Sequence, residues 1–315
     1  MMPVLPALAL SVSLQFGDLW SEMKSWAVRY AASTDWGSRK VASDFLAPKR
    51  ASDPGEWEDA GITPRTIQLD LHDGCWTQGL LVPAKGLSKG TVILLHGYAN
   101  CKDVTAGFAK RLHTAGYTTL SFDMRGHGSS SAPYCTFGFR EKTDVSSVID
   151  DLLAQGVARP PFMVLGTSMG AAVGIQAMEQ DQRLCSGVFD SSFDSLNHVA
   201  PKWLGDYGID DPVPVYRAAK TLTGVSLDSV SPIASMRKID RPVFVIHGTD
   251  DCMIPESEAE ALYDSSPSPK KRILRIEHGN HGESLAEGHP WSDGAWSAVL
   301  EFLDSSQTKP SPPRI

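Results

Sequence analysis

One short segment of the sequence, residues 166–170, has the pattern Gly-x-Ser-x-Gly with Ser168 at its centre. An apolar run, residues 161–165, precedes this segment, and a run of small residues and helix formers, residues 171–178, follows it. That order predicts a strand, a sharp turn and a helix, which would expose the serine hydroxyl at the end of the strand. The beginning of the helix adds a partial positive charge that would stabilise a nearby oxyanion. The pentapeptide alone is weak evidence, and its context is what indicates a nucleophilic serine.

A serine hydroxyl is a poor nucleophile unless a base accepts its proton, and a histidine oriented by a carboxylate is the common solution. The chain supplies both groups after later apolar runs. Asp250 and Asp251 follow one run, and His278 and His281 follow the next. A further carboxylate, Asp190, ends an earlier apolar run and is another candidate for the acid.

The elements that must position these groups are predicted from hydrophobic patterns. Residues 65–71 alternate apolar and polar side chains, Asp73 and Gly74 form a turn, and residues 76–82 return as a second strand. Unbroken apolar runs then alternate with helical stretches, at residues 92–95, 118–122, 162–165, 187–189, 243–246 and 273–276. Such runs are typical of strands that are covered on both faces. We therefore predict an α/β fold with a mostly parallel central sheet and helices on both faces.

The chain is predicted to contain one main domain with additions. Residues 1–64 are an N-terminal helical extension followed by a linker at residues 49–63, and residues 65–304 form the main domain. Within it, residues 194–240 exceed a usual crossover in length and are predicted to form a small helical cap over the strand ends. The Ser/Pro-rich residues 305–315 are predicted to be a disordered tail.

These segments together resemble the α/β-hydrolase superfamily, from about Arg65 to Leu303, and within it the small-cap carboxylesterases and the dipeptidyl-peptidase-like branch. The resemblance rests on His96-Gly97-Tyr98, Asp123-Met124-Arg125-Gly126-His127-Gly128, the segment 166–170, His247-Gly248-x-x-Asp251-x-x-Ile254-Pro255 and Asn280-His281-Gly282. The chain order serine, aspartate, histidine is also that of this superfamily. The resemblance thus implies the α/β-hydrolase fold with a small helical cap.

The resemblance also implies roles for individual residues. Ser168 would be the nucleophile, His281 the base and Asp251 the acid, because Asp251 occupies the aspartate position before x-x-Ile-Pro. Asp250 is the alternative acid and His278 the alternative base. The loop of residues 125–128 would be structural.

The groups around this triad can be predicted in the same way. An oxyanion hole needs two backbone N–H groups, which the resemblance places at Tyr98 and Met169. Three aromatic side chains in the cap, Trp203, Tyr207 and Tyr216, are candidates for the walls of the substrate pocket or for packing of the cap.

Composition excludes several other classes of protein. A net charge of −8 without a basic stripe argues against a nucleic-acid partner. Five widely spaced cysteines without a C-x-x-C pair argue against a zinc site or a disulfide framework and favour free thiols in a reducing compartment. No cofactor or metal is expected, because acyl transfer to water proceeds through a covalent acyl-serine.

The N-terminal segment has two interpretations. Residues 3–14 are uncharged and mostly apolar, like the core of an export signal, but they lack a basic start and a cleavage site. The apolar residues between 16 and 30 lie on one helical face, as in a helix that packs on the protein or contacts a membrane surface or second subunit. We predict a cytoplasmic protein, with export as the alternative. The oligomeric state is open.

The predicted activity is hydrolysis of small-molecule carboxylic esters. An amidase, peptidase, thioesterase or acyltransferase with the same triad is the alternative, because the fold does not determine the leaving group. A non-catalytic binding module is the third hypothesis, which a fluorophosphonate probe would test. Ser168 itself disfavours haloalkane dehalogenases and epoxide hydrolases, which resemble this fold with aspartate at that position, and dienelactone hydrolases, which have cysteine.

Overall fold

The protein is described by a computed structural model that covers residues 34–48, 53–206 and 209–306. The helix predicted between residues 16 and 30, most of the predicted tail and Tyr207 lie outside the described residues. The strands are β1 Arg65–Asp70, β2 Trp76–Val82, β3 Thr91–Leu95, β4 Thr118–Phe122, β5 Phe162–Thr167, β6 Leu184–Asp190, β7 Val243–Gly248 and β8 Lys271–Ile276. The described helices are α1 Asp35–Leu46, α2 Gly55–Ala60, α3 Ala106–Thr114, α4 Glu141–Ala154, α5 Met169–Gln180, α6 Leu196–Asp206, α7 Val213–Thr223, α8 Pro232–Met236, α9 Glu256–Ser265 and α10 Ser292–Ser305.

The strands form one eight-stranded sheet in the order β1-β2-β4-β3-β5-β6-β7-β8. The β1–β2 and β2–β4 pairs are antiparallel, and all pairs from β4–β3 to β7–β8 are parallel. The sheet is mostly parallel and begins with antiparallel strands, which confirms the sheet predicted from the sequence. The carboxyl ends of β5, β6, β7 and β8 therefore lie side by side, and the loops after them meet at one edge.

Helices cover both faces of the sheet, as the unbroken apolar runs predict. The central strand β3 is buried along its whole length. On one face, the apolar core includes side chains of α4, α5 and α9. On the other face, the core includes side chains of α2, α3 and α10. Burial from both sides is what removes the alternation of polar and apolar residues from these strands.

The segment predicted as a linker, residues 49–63, contains an ordered helix, α2. Glu56 and Glu58 lie in its first turn, which suits the positive end of the helix dipole. Trp57 is 4% exposed and belongs to the core that includes α3 and α10. The linker interpretation was therefore wrong for residues 55–60, which pack on the main body of the protein.

Residues 194–240, between β6 and β7, contain α6, α7 and α8 and a 3-10 turn at Leu227–Ser229. The short helix α8 packs against α5, and α7 packs against α1. Buried apolar side chains from α6 and α7, including Leu204 and Val215, belong to the same core as α5. The helical segments are thus joined to the main domain by apolar packing. The domain boundaries at residues 64 and 304 stay predictions.

Candidate active site

Ser168 lies in a strained turn between β5 and α5. Its backbone has φ 56° and ψ −120°, and left-handed conformations of this kind are uncommon for residues other than glycine. The two flanking glycines permit the turn. A Cβ atom at Gly166 would lie 2.3 Å from the Gly170 carbonyl oxygen, and one at Gly170 would lie 2.2 Å from the Leu95 carbonyl oxygen. The sequence pattern Gly-x-Ser-x-Gly is therefore required by close backbone contacts.

The structure brings Ser168, His281 and Asp251 together from three separate loops. Ser168 Oγ lies 2.9 Å from His281 Nε2, and His281 Nδ1 lies 2.7 Å from Asp251 Oδ2. With a proton on Nδ1, the imidazole donates to the carboxylate, and Nε2 is free to accept the serine proton. The chain thus has the geometry of a nucleophile, a base and an orienting acid.

The carboxylate of Asp251 is held in its ionised form. Burial raises the pKa of Asp251, but the hydrogen bond and charge of His281 and the N–H groups of Ile254 and Met253 together hold that pKa below its ordinary value. Both N–H groups donate to Oδ1, at 2.8 and 2.9 Å. Oδ2 is thereby left to face His281. An acid that stays ionised can orient the imidazole and stabilise its positive charge.

The alternative acids occupy different positions. Asp250 is exposed and lies 3.2 Å from Nδ1 of His278, which is also exposed, so these two residues form a separate pair at the surface. Asp190 is fully buried at the end of β6, and its Oδ1 accepts from the hydroxyl of Ser191 at 3.1 Å. Neither aspartate is hydrogen-bonded to His281.

Two further side chains hold the loops that carry Asp251 and His281. Asn280 Oδ1 accepts from the N–H of Cys252 at 3.2 Å and from that of His281 at 2.8 Å, which links the two loops. His247, fully buried at the end of β7, has its Nε2 3.0 Å from the Ile254 carbonyl oxygen and 3.3 Å from Asp251 Oδ2. Both residues lie within motifs of the sequence, but their hydrogen bonds depend on how the two loops fold, which the sequence pattern does not show.

The loop after β3 faces Ser168. A Cβ atom at Gly97 would lie 3.6 Å from Ser168 Cβ, so this backbone passes close to Ser168. Tyr98 lines the cavity there, while its hydroxyl donates to the Phe45 carbonyl oxygen at 2.9 Å. Met169, the other residue predicted to contribute an N–H, is the first residue of α5 and is buried.

Two buried histidines support this loop. The N–H of Met124 donates to His96 Nε2 at 3.1 Å, and that of Ala99 donates to His127 Nε2 at 3.2 Å. Burial lowers the pKa of His96 below its ordinary value and that of His127 to about 3. Both imidazoles are therefore neutral at physiological pH, which suits acceptors of backbone hydrogen bonds. His127 belongs to the loop of residues 125–128, and its contacts fit the structural role predicted for that loop.

A cavity of about 560 Å³ lies above Ser168 and His281. Apolar side chains on its wall include Leu95, Val104, Phe108 and Met253, and three carboxylates on the wall are Glu56, Asp59 and Glu287. The sequence analysis does not predict this wall, because it assigns the residues of α2 to a linker. The acidic first turn after Pro54 is a signal that could have indicated the helix.

The cap aromatics are a correction to the predicted pocket. In the described part of the chain, neither Trp203 nor Tyr216 lines the cavity. Trp203 packs edge-on against Phe193, with ring centroids 6.0 Å apart, and Tyr216 is half-buried against the apolar core. Both side chains pack against the apolar core, which fits the packing alternative. Tyr207 lies outside the described residues.

One group of described residues has the chemistry of metal ligands, namely Asp194, His198 and Glu258 at the base of the cap. Their candidate ligand atoms lie within 4.8 Å of one another. Asp194 Oδ1 is 2.7 Å from His198 Nδ1, and the Asp194 N–H donates to Glu258 Oε2 at 2.8 Å. Burial and the neighbouring Asp194 carboxylate raise the pKa of Glu258 to about 7. These contacts tie α6 and the residues before it to α9, and none of the three residues lines the cavity at Ser168.

Comparison with known proteins places these observations in a family. A family model described as serine aminopeptidase, S33, matches residues 86–204. The protein YfhR of Salmonella typhi is 30% identical over 270 residues, which span 78% of this chain and 86% of that protein. The chain belongs to the α/β-hydrolase superfamily and is a hydrolase of that class.

Solved structures show the same fold. An esterase of Pyrococcus furiosus superposes with a TM-score of 0.68 at 22% identity, over 84% of this chain and 100% of that chain. An acylaminoacyl peptidase of Pyrococcus horikoshii superposes with a TM-score of 0.62 at 16% identity, over 84% of this chain and 45% of that chain. At such identities the likeness concerns the fold alone.

Within residues 34–48, 53–206 and 209–306, no helix is long and apolar enough to cross a bilayer.

Proposed function

We propose that this protein is a serine hydrolase that cleaves small carboxylic esters through an acyl-serine intermediate. The observation that carries this proposal is the continuous chain of contacts from Ser168 Oγ to His281 Nε2 at 2.9 Å and from His281 Nδ1 to Asp251 Oδ2 at 2.7 Å. A chain of this kind makes a serine hydroxyl nucleophilic, and it requires neither a metal nor an organic cofactor.

In the first half of the reaction, Ser168 Oγ attacks the ester carbonyl carbon while His281 Nε2 takes the hydroxyl proton. Asp251 stabilises the imidazolium that forms. The carbonyl oxygen becomes an oxyanion, for which we propose the N–H groups of Met169 and Tyr98 as donors. The tetrahedral intermediate then collapses, its carbon–oxygen bond to the alcohol breaks, and His281 returns the proton to that leaving oxygen.

In the second half, water attacks the acyl-serine. His281 Nε2 takes a proton from the water as its oxygen bonds to the carbonyl carbon, and the same proton is returned to Ser168 Oγ when the acid leaves. The beginning of α5 points at the oxyanion, and its dipole adds to the stabilisation. Each step thus uses the same three side chains with their protons conserved.

The cavity fits a small ester. Its volume of about 560 Å³ is within the range of small-molecule sites, and its apolar wall would receive an acyl chain or an apolar alcohol. Ser168 is 9% exposed, so the nucleophile is shielded by the walls while it remains in contact with the cavity.

Amide cleavage is the second candidate function. The family model that matches residues 86–204 is described as a serine aminopeptidase, which favours a peptide or amide substrate as the alternative. The triad geometry suits both substrates, because His281 can protonate an amine as well as an alcohol on departure. Cytoplasmic location and contact of the N-terminal segment with a membrane surface remain predictions that neither candidate requires.

The proposal is tested by labelling and turnover in parallel. Wild-type protein is treated with a fluorophosphonate probe and assayed with 4-nitrophenyl esters of graded acyl length, beside the matched 4-nitroanilides. Ser168→Ala is the test variant. Ser297→Ala is the control, because Ser297 is an exposed serine on α10 that does not line the cavity.

We expect wild type and Ser297→Ala to be labelled and to hydrolyse short esters, and Ser168→Ala to lose on the order of 10⁴-fold or more in turnover. Faster cleavage of the anilides than of the matched esters would replace the ester proposal by the amide candidate. Ser168→Ala protein that keeps more than about a tenth of the wild-type activity would contradict the assignment of the nucleophile.

A further inference from the structure

The charged side chains on the wall of the cavity are all acidic. Among the described residues that line it, Glu56, Asp59 and Glu287 carry carboxylates, and none is a lysine or an arginine. These three residues are part of the same cavity as Ser168 and His281, so any substrate that reaches the nucleophile meets their field.

Two of the carboxylates lie on one face of α2. Glu56 and Asp59 are three residues apart in a helix, which places their side chains next to each other, and both line the cavity, whereas Glu58 does not. The helix is fixed by Trp57, whose indole N–H donates to Asp103 Oδ1 at 3.0 Å in a buried contact. The position of this acidic pair is therefore set by the fold.

The third carboxylate comes from the loop after β8. The carboxyl group of Glu287 would lie 3.8 Å from a Cβ atom at Gly107, which shows that it rests against helix α3 at the cavity wall. Glu287 Oε1 is 3.6 Å from Arg111 Nε. The same arginine also donates from Nη1 to Asp293 at 2.9 Å, so its single charge is shared between two acids.

Two further cations near the cavity also have acidic partners. Lys202, whose ammonium group donates to the Cys252 carbonyl oxygen at 2.7 Å beside the cavity-lining Met253, lies 4.0 Å from Asp206 Oδ2. Lys102, two residues before the cavity-lining Val104, is buried and lies 2.9 Å from Asp123 Oδ2 and 3.9 Å from Asp103 Oδ2. Among the described residues, the carboxylates of Glu56 and Asp59 have no ion-pair partner. The charges that face the cavity therefore leave an excess of negative charge there, and a cavity focuses such a field on its contents.

We propose that this acidic wall selects substrates that carry a positively charged group, a quaternary ammonium or a protonated amine, near the scissile carbonyl. The inference rests on the proposed serine hydrolase function and specifies its substrate class. The aromatic ring of Phe108 lies on the same wall and suits the apolar surface of an alkylammonium group, which aromatic faces also attract electrostatically.

Isosteric pairs of esters test the proposal. Butyrylcholine is compared with 3,3-dimethylbutyl butyrate, in which carbon replaces the charged nitrogen of the alcohol. The 4-nitrophenyl ester of 4-(trimethylammonio)butanoate is compared with that of 5,5-dimethylhexanoate, in which the replacement is in the acyl chain. The ratio of kcat/KM within each pair, divided by the ratio of the alkaline hydrolysis rates, measures selection for charge.

The double variant Glu56→Gln/Glu287→Gln removes two of the three carboxylate charges with little change in shape, and Glu58→Gln is the matched control on helix α2. We expect wild type and Glu58→Gln to prefer the charged ester of at least one pair by on the order of tenfold, mostly through KM. The preference should fall toward one in the double variant, which keeps only the Asp59 charge, and should weaken as salt is added to the wild-type assay. A wild-type preference near one in both pairs, or an equal loss in Glu58→Gln, overturns the inference.

Failure of the proposed function gives a different result. If the protein reacts with the fluorophosphonate and cleaves neutral esters without preference for charge, the proposed function holds and this inference is overturned. If no ester is cleaved and no serine is labelled, the proposed function fails, and binding of butyrylcholine, measured by calorimetry in the wild type and the double variant, still tests the cavity. Equal binding by the two proteins, or none by either, overturns the inference.

Discussion

His281 Nδ1 lies 2.7 Å from Asp251 Oδ2, while three residues earlier His278 Nδ1 lies 3.2 Å from Asp250 Oδ2. The two histidine–aspartate pairs join the same two loops, but one is largely buried and contacts Ser168, and the other is exposed. The Asp251 side chain is fully buried and accepts two backbone N–H groups, whereas that of Asp250 is 59% exposed. The exposed pair of Asp250 and His278 therefore serves as an internal control for the role proposed for Asp251.

Asp251→Asn should lower kcat on the order of 10⁴-fold, because an amide can hold His281 in the tautomer that cannot accept the serine proton. Asp250→Asn should change kcat by less than about twofold, since exposed ion pairs contribute little. Both variants are compared by steady-state kinetics with one ester. Equal losses would show that the pair at the surface also supports the base.

The third candidate for the acid, Asp190, can be tested by the effect of Asp190→Asn on the free energy of unfolding. Burial raises the pKa of Asp190 from its ordinary 3.8 to about 6, and bonds to Ser284 and Ser191 and the nearby His247 and His281 offset only part of this. The folded protein then binds the proton more tightly than the unfolded chain, so this group's stabilising contribution is present below about pH 4 and is lost as the pH rises through about 6.

Asparagine does not titrate, so the stability of Asp190→Asn does not fall in this way as the pH rises. The free energy of unfolding of Asp190→Asn, relative to wild type, should rise by about 2–3 kcal/mol between pH 4 and pH 7. Urea unfolding of both proteins across this range measures it. Glu258 and the other carboxylates titrate in both proteins and cancel in the difference. A difference that is constant with pH would mean that Asp190 is ionised in the folded protein at low pH as well.

Much of the fold could be predicted from the sequence because the physical signal is local. Strands buried on both faces, such as β3 and β5, appear as unbroken apolar runs. The dipeptide Asp73-Gly74 indicates the turn between β1 and β2. The short helix α2 was missed because six residues are too few for a periodic pattern. Its order comes from tertiary contacts, above all from the burial of Trp57, which no local pattern shows.

The candidate site likewise contains residues that the sequence predicts and residues that it does not. Ser168 and His281 lie in short motifs at strand ends, so their proximity follows from the order of the strands. The walls of the cavity come from elements that are far apart in the sequence, and Phe108 and Glu287 carry no local sign that they face Ser168. Position alone favours the cap aromatics as walls of the pocket, whereas in the structure Trp203 packs against Phe193.

The acyl preference should therefore depend on Phe108 and not on Trp203. Phe108→Ala enlarges the cavity and should shift the ratio of kcat/KM for long against short acyl esters by on the order of tenfold, the usual effect of one or two methylene groups. Trp203→Ala should leave this ratio within about twofold and lower the free energy of unfolding by about 1–3 kcal/mol, since it removes packing of the cap.

Both variants are measured with one series of 4-nitrophenyl esters and by thermal unfolding. A changed acyl ratio in Trp203→Ala at unchanged stability would show that the cap aromatics reach the substrate after all. A uniform loss on every ester in Phe108→Ala would mean that its ring, which packs 5.3 Å from that of Trp296, acts mainly as part of the core.

The attachment of α2 to the main domain should depend on the bond between Trp57 and Asp103. Trp57→Phe keeps a ring in the core and removes the indole donor, which leaves a buried carboxylate oxygen with one partner fewer. We expect a loss of about 1–3 kcal/mol in the free energy of unfolding. Because α2 forms part of the cavity wall, KM should rise while labelling of Ser168 by a small phosphonate keeps its rate.

Trp76→Phe is the matched control, because Trp76 is 42% exposed on β2 and does not line the cavity. It should change neither KM nor the melting temperature appreciably. Limited proteolysis adds a local readout, since a detached α2 would be cut within residues 53–62 before the sheet unfolds. If Trp57→Phe loses stability but keeps its KM and resists cleavage there, the hydrogen bond stabilises the fold without positioning the wall. The acidic pair on α2 would then have to be held by the packing of the ring alone.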